Sequence, residues 1–169
     1  MNAKKLWILF ILLCLPAPAF SAGNLHFGML KVHPFISVQE TYNDNIFAVP
    51  NNTTNDWITT ITPVIKLELP TGRHLFTADY RAVLDRYSSN SSENTTDHYA
   101  NAMADLKFGR LFGLKVSDSY IKGHEPRISS TSGEIEKYTK HAPSVSGTYQ
   151  LADRSKIQLD YTRAAWNYE

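Results

Sequence analysis

Cysteine is almost absent: the only one in 169 residues, Cys14, lies near the N-terminus. No intrachain disulfide can form, which excludes the disulfide-stapled modules common among small secreted domains. An excess of charge of one sign is also lacking, since 17 basic residues face 16 acidic ones. This balance gives no reason to expect a nucleic-acid partner. Stability must therefore come from a large core, from a partner or from a bilayer.

The N-terminal segment predicts export. Residues 1–22 begin with MNAKK, continue as the apolar run LWILFILLCL and end in PAPAFSA. The run is short for a bilayer span, so it is typical of a cleaved signal peptide; an N-terminal membrane anchor is the alternative. Cleavage after Ala22 at the latest removes Lys4, Lys5 and Cys14, which leaves 15 basic and 16 acidic residues and a formal charge of −1.

The rest of the chain alternates between apolar and polar residues with the two-residue period of β-strands. In FTADYRAVLDRY, residues 76–87, Phe76, Tyr80 and Leu84 share one parity while Asp79 and Arg81 share the other. No segment has the period of a convincing amphipathic helix. The sequence predicts an all-β, antiparallel fold with about seven strands, at 34–42, 57–69, 76–87, 99–108, 114–120, 140–151 and 156–168.

Long and short connections between these strands alternate. Long polar loops at 43–56, 88–97 and 123–137 are separated by short turns at 70–74 and 109–113. Bacterial outer-membrane β-barrels have this arrangement, with short periplasmic turns and long external loops, and the first loop is long when the chain enters from the periplasm. We therefore predict that residues 23–169 form a transmembrane β-barrel of the outer-membrane type, or its N-terminal part.

In a barrel, side chains of one parity face lipid and those of the other parity face a water-filled interior. The apolar face contacts outer-membrane lipid, and the polar side chains line the lumen. The predicted lumen-facing residues are Lys66, Glu68, Asp79, Arg81, Asp85, Asn101, Asp105, Lys107 and Lys115. Aromatic residues at the strand ends are expected to form interfacial girdles: Trp57, Tyr87, Tyr99, Tyr120 and Tyr138 near long loops, and Phe108, Phe112 and Tyr149 near short turns.

A secreted, soluble β-sandwich that binds carbohydrate is the alternative, because its strands also alternate. The small-residue face formed by Ala100, Ala102 and Ala104 would pack a sandwich core poorly. An enzyme is not expected, since no catalytic motif, no histidine pair at metal-ligand spacing and no cofactor fingerprint occurs. The segment GHEPR at 123–127 looks like half of a zinc motif but is broken by glycine and proline.

Several segments resemble a known family. They are YNDNIF at 42–47, DWITT at 56–60 with Thr62 and Pro63, LPTGRH at 69–74, DYRA at 79–82 and RYS at 86–88. The chain is similar, over most of residues 32–168, to outer-membrane β-barrel proteins of the beta-barrel porin 2 type. These are encoded with bacterial exopolysaccharide synthesis and export genes.

The resemblance implies an outer-membrane protein that serves polysaccharide production or secretion. Its partners would be outer-membrane lipid and, beyond that, a polysaccharide or other export components. Members of that family are considerably longer. We therefore expect this chain to be an N-terminal fragment, because it has an odd number of predicted strands and lacks the terminal aromatic residue typical of outer-membrane barrels. Seven strands alone would leave two unpaired edges.

Overall fold

The structure, a computed structural model, describes residues 25–125, 127, 135–152 and 155–169. The predicted signal peptide lies outside these residues. The elements, in chain order, are β1 (Leu25–Phe27), β2 (Leu30–Asn43), β3 (Asp56–Thr71), β4 (His74–Tyr87), a 3₁₀ turn (Ser91–Glu93), β5 (Thr95–Phe108), β6 (Phe112–Glu125), β7 (Glu136–His141), β8 (Ser144–Ala152), β9 (Ser155–Thr162) and β10 (Ala165–Tyr168). All ten strands belong to one sheet in which every pairing is antiparallel.

The ten strands amount to seven long strands and the short strand β1, because β7 continues into β8 and β9 continues into β10. β7 and β8 pair with β6 in one continuous register, and the Ala142 N–H bridges their interruption by donating to the Ser119 carbonyl at 2.8 Å. β9 and β10 continue one another in the same way through the bond from Arg163 N–H to the Pro143 carbonyl, 3.1 Å. The prediction of about seven antiparallel strands is confirmed. The three-residue strand β1, which pairs with the start of β2, was not predicted.

Prolines account for two gaps in the ladder. Pro143 separates β7 from β8, and the β3–β4 pairing skips Thr62 and Pro63 while keeping its register on either side. Proline has no N–H to donate and is therefore unusual inside a central strand. The neighbouring hydrogen bonds hold the register across each gap.

The predicted alternation of long and short connections is present. The structure joins β2 to β3 through 44–55 and β4 to β5 through 88–94, whereas β3 and β4 are joined by Gly72 and Arg73 alone. Gly72 has φ +61°, as the first position of a two-residue hairpin of type II′ requires. The long strands exceed the predicted ten residues, so they reach into the segments predicted as loops.

One face of the sheet is apolar and open to the surroundings, and we call it the apolar face. Ile65 and Tyr80 on it are each 41% exposed and Leu159 is 75% exposed. Within the described residues no second sheet packs on this face, so the sandwich alternative lacks the layer it needs. No helix in the described part of the chain is long and apolar enough to cross a membrane.

On the apolar face, the apolar side chains end before the long loops begin. We call this boundary the apolar limit, and it runs obliquely across the sheet. Trp57 marks it at the loop end of β3, whereas on β5 and β6 it falls to Ala100 and Tyr120, which share a row of paired residues with Ile65. On β9 it falls further, to Tyr161. A membrane surface crosses tilted strands at one height and therefore cuts obliquely through rows of hydrogen-bonded partners, as this limit does.

The expected aromatic girdle at the long-loop end is only partly right. Trp57 and Tyr120 lie on the apolar face, and Trp57 contacts Tyr42 with ring centroids 5.2 Å apart. Tyr87, Tyr99 and Tyr138 lie on the opposite face, because their neighbours along each strand, and not they, carry the apolar parity. At the short-turn end, Phe108, Phe112 and Tyr149 do lie on the apolar face, as predicted.

Candidate functional site: the charged face and its mouth

The nine residues predicted to face a lumen lie on one face of the sheet, which we call the charged face. Cross-strand partners share a face, and the register pairs Lys66 with Asp79, Asp79 with Asn101, and Asp105 with Lys115. Glu68, Arg81, Asp85 and Lys107 have the same parity on their strands. The register thus places all nine residues on one face, and that this face lines a lumen stays a prediction.

Polar contacts across strands satisfy most of these side chains. Asn101 donates from Nδ2 to Asp79 Oδ2 at 2.8 Å, and the Thr60 hydroxyl donates to Asp85 Oδ1 at 2.6 Å. Lys31 contacts Glu68 across strands at 2.9 Å, and the Arg81 guanidinium lies 4.2 Å from the centre of the Tyr99 ring. Within β5, Lys107 contacts Asp105 at 2.9 Å. Glu68, Asp79, Asp85 and Asp105 on this face thus each lie beside a cation or a hydrogen-bond donor, as expected for a hydrated wall.

A groove of about 370 Å³ lies on the charged face and brings four predicted residues together. Its lining comes from strands β3 to β6 and consists of Val64, Lys66, Asp79, Arg81, Tyr99, Asn101, Ser119 and Ile121. Two cations, one carboxylate and one amide therefore face the same polar space. Such a surface can hold water and polar solutes, and it offers no nucleophile paired with a base.

At the long-loop end, Asp56 ties the loop after β4 to the start of β3. Its side chain is only 3% exposed, and it accepts hydrogen bonds from the Ser89 N–H at 3.1 Å and from the Asn90 N–H and Nδ2 at 2.8 Å each. Burial raises the pKa of this carboxyl, but the bonds from Asn90, Ser89 and the Trp57 N–H outweigh burial and leave the pKa below its ordinary value. The loop is thus held by a carboxylate.

The first long loop is internally braced. Asn45 receives the Val49 N–H on its side-chain oxygen at 3.1 Å and donates from Nδ2 to the Val49 carbonyl at 2.8 Å. The Ile46 N–H donates to the Thr54 carbonyl at 2.9 Å, and the Ile46 side chain is buried. Residues of the YNDNIF segment therefore build the loop.

Arg127 connects three long loops, and we call its contacts the loop latch. Its Nε and Nη2 donate to Glu93 Oε2 at 3.1 Å and 2.5 Å, which joins it to the 3₁₀ turn after β4. Its guanidinium also lies 5.2 Å from the centre of the Phe47 ring in the first loop. Nearby, His124 Nδ1 lies 2.7 Å from Asp97 Oδ1.

Two cavities open beside the loop latch and form what we call the mouth. Their volumes are about 550 Å³ and 320 Å³, and both are lined by Glu93, Thr95, His124, Arg127 and Ile135. The larger cavity continues toward Asp97, Lys122 and Lys137, and the smaller one toward Asn43, Asn45 and Tyr87. The lining mixes charged and polar side chains with apolar ones such as Ile135, and it borders the long-loop end of the charged face.

No sequence pattern groups Asp56, Glu93, Asp97, His124 and Arg127. They lie in loops or at strand ends, and their contacts join residues far apart in sequence, for which the two-residue period carries no signal. No set of three or more potential metal ligands occurs among the residues that the structure describes.

Comparison with known proteins gives one result. Neither a curated protein nor a solved structure matches the chain. A family described as "Putative beta-barrel porin 2" matches it over residues 18–169, which includes every described strand, the loop latch and the charged face. The protein is a member of this beta-barrel porin 2 family.

Proposed function

We propose that the protein is a porin-like or structural component of a bacterial outer membrane. Its apolar face contacts lipid, and its charged face lines a water-filled passage that ends in the mouth. Export by the signal peptide of residues 1–22 and a place in an exopolysaccharide production or export system belong to the same proposal. The family match supports the porin-like role, and the resemblance of the YNDNIF and LPTGRH segments supports the link to exopolysaccharide.

The observation that carries the proposal is a sheet with its large apolar side chains exposed together on one face. Val116 and Tyr120 on β6 and Tyr80 on β4 are each between two-fifths and half exposed, and they adjoin one another through cross-strand pairs with β5. A soluble protein rarely exposes a continuous apolar surface of this kind. Hydrocarbon removes the cost of that exposure, whereas the opposite, charged face requires water.

Two adjacent positions on β6 test this orientation. Ser117 lies on the charged face, where it pairs with Met103, and Val116 lies on the apolar face, where it pairs with Ala104. Each is replaced by cysteine in a chain whose described part contains no other cysteine. In vesicles, a water-soluble maleimide should modify S117C quickly and V116C slowly, and a lipid-soluble maleimide should show the opposite order. Equal rates at both positions for both reagents would contradict the orientation.

Conductance separates the two versions of the role. A porin-like protein opens an aqueous path in a planar bilayer, and reversing the charge at Arg81 should move its ion selectivity toward cations. A structural component gives no such current while still protecting S117C from the lipid-soluble reagent. Secretion of exopolysaccharide by a deletion strain then tests the link to that system.

A further inference from the structure

The apolar parity carries a polar cluster, and we call it the outer patch. It consists of Tyr80, His98, Tyr120, Lys122 and His141 on β4 to β7. His98 pairs directly with Lys122, and Tyr120 pairs directly with His141. All five side chains therefore project from the same side of the sheet as Ile65 and Val116.

The outer patch lies at the place where the oblique apolar limit ends. On β5 and β6 the last apolar-face residues before the limit are Ala100 and Tyr120, and His98 and Lys122 come one step beyond them toward the long loops. Lys122 also borders the larger mouth cavity. The basic groups thus stand just above hydrocarbon height on the outer wall, where lipid headgroups would lie.

The contacts within the outer patch orient its donors. The Tyr80 hydroxyl and His98 Nδ1 share a 2.6 Å hydrogen bond, and His141 Nε2 lies 2.8 Å from Asp118 Oδ2. Asp118 lies between Val116 and Tyr120 on the same parity, so the patch also contains one carboxylate, and His141 contacts one of its two oxygens. Lys122 has its nearest recorded carboxylate, Glu169 Oε1, at 4.0 Å, and its side chain is half exposed. Its ammonium is the most available cation in the cluster.

We propose that the outer patch binds the phosphate of an anionic lipid in the external leaflet. Lys122 supplies the charge, the His98 ring supplies a further nitrogen donor, and Tyr120 occupies the headgroup level that tyrosine prefers. The phosphate replaces water around a cation at the boundary of the apolar face, where attraction is stronger than in bulk water. This inference rests on the proposed function, because it requires the apolar face to contact lipid.

Lipid A in dodecyl maltoside micelles is the probe, titrated into the purified full-length protein, with phosphatidylcholine as the neutral reference lipid. Lipid A should bind more tightly than phosphatidylcholine, and Lys122→Gln should weaken lipid A binding about fivefold, the effect of one basic group near an anionic surface. Lys122→Arg should retain the affinity. Lys115→Gln is the matched control, because it removes the same charge from the same strand on the charged face.

Three results would overturn the proposal: equal affinity for the two lipids, equal weakening by Lys122→Gln and Lys115→Gln, or displacement of lipid A by millimolar inorganic phosphate. Flotation of the wild-type protein with phosphatidylcholine vesicles distinguishes this failure from that of the proposed function. Protein that floats but does not prefer lipid A contradicts only the outer patch. Protein that does not float contradicts the lipid-facing orientation itself.

Discussion

The Asp56 carboxylate accepts three hydrogen bonds from Asn90 and Ser89, which follow it by 34 and 33 residues in sequence. These bonds make the start of β3 an anchor for the loop after β4. The anchor works only while Asp56 is ionised, since a protonated carboxyl is a weaker acceptor for several N–H donors. The position of the loop after β4 therefore depends on the charge of one side chain in β3.

Acid should release this loop before the sheet unfolds. The pKa of Asp56 is lower in the folded protein than in the unfolded chain, so the clamp contributes its full stability above the ordinary aspartate pKa, about 3.9. That stability is lost as the pH falls through the lower, folded-state pKa. Protease cleavage within 88–94 should accordingly rise in that acid range, measured with pepsin and mass spectrometry.

Asp56→Asn should show the released loop already at neutral pH, and further acid should change its cleavage little. Asp44→Asn is the control, because Asp44 is an exposed loop aspartate whose side chain contacts no hydrogen-bond donor among the described residues. An acid response of the loop that persists unchanged in Asp56→Asn would assign the effect to another group.

The loop latch should behave as a coupled pair. Glu93 and Arg127 have side chains that are 12% and 21% exposed, so their ion pair is less screened than one on an open surface. We expect a double-mutant cycle of Glu93→Ala and Arg127→Ala to give a coupling energy of about 0.5–3 kcal/mol. Denaturant unfolding in detergent micelles measures it.

Arg127→Ala should also loosen the first long loop, because Phe47 loses the guanidinium on its ring. Hydrogen exchange of 44–55 should then accelerate, while Arg110→Ala in a short turn should leave it unchanged. An additive cycle, with no coupling between the two alanine substitutions, would show that the contact between Glu93 and Arg127 does not stabilise the fold.

The sequence predicted the parts of this fold that repeat along a strand. Thr77, Asp79 and Arg81 alternate with Phe76, Ala78 and Tyr80, and this alternation alone fixes which side chains share a face. The same alternation also indicates the correct face for Tyr99 and Tyr138. The girdle assignment for those tyrosines was wrong because it used nearness to a loop in place of parity.

Register and loop contacts were beyond the sequence. The anchor at Asp56 and the latch between Glu93 and Arg127 join residues more than thirty positions apart, and local pattern carries no signal for such pairs. The oblique apolar limit likewise requires the register, since it compares residues on different strands. Once the register is known, His98 and Lys122 no longer look like errors on a lipid face, because they lie beyond the limit.

Topology across the membrane is accessible to cysteine labelling. Thr53 lies in the first long loop and Arg110 in the short turn between β5 and β6, at opposite ends of the strands. On intact cells, an impermeant maleimide should modify Thr53→Cys and leave Arg110→Cys unmodified. Permeabilised cells should show both modified, which controls for reactivity. Modification of Arg110→Cys on sealed cells would mean that the short turns, and not the long loops, face the outside.

The sharpest test of the two faces uses neighbours on β5. Ala104 lies between Phe76 and Val116 on the apolar face, midway along the apolar side chains of its strand, whereas Met103 lies between Thr77 and Ser117 on the charged face. An arginine at position 104 would place a guanidinium in hydrocarbon and should cost about 2–4 kcal/mol in folding into bilayers.

An arginine at position 103 meets water and has Asp105 two residues away on the same face, so the expected cost is about 1 kcal/mol or less. Urea-dependent folding into phosphatidylcholine vesicles gives both free energies, and the paired design cancels the helix or strand preference of arginine itself. Equal costs at the two positions would mean that the faces do not differ in solvent. A larger cost for Met103→Arg would mean that the charged face, and not the apolar face, meets the lipid.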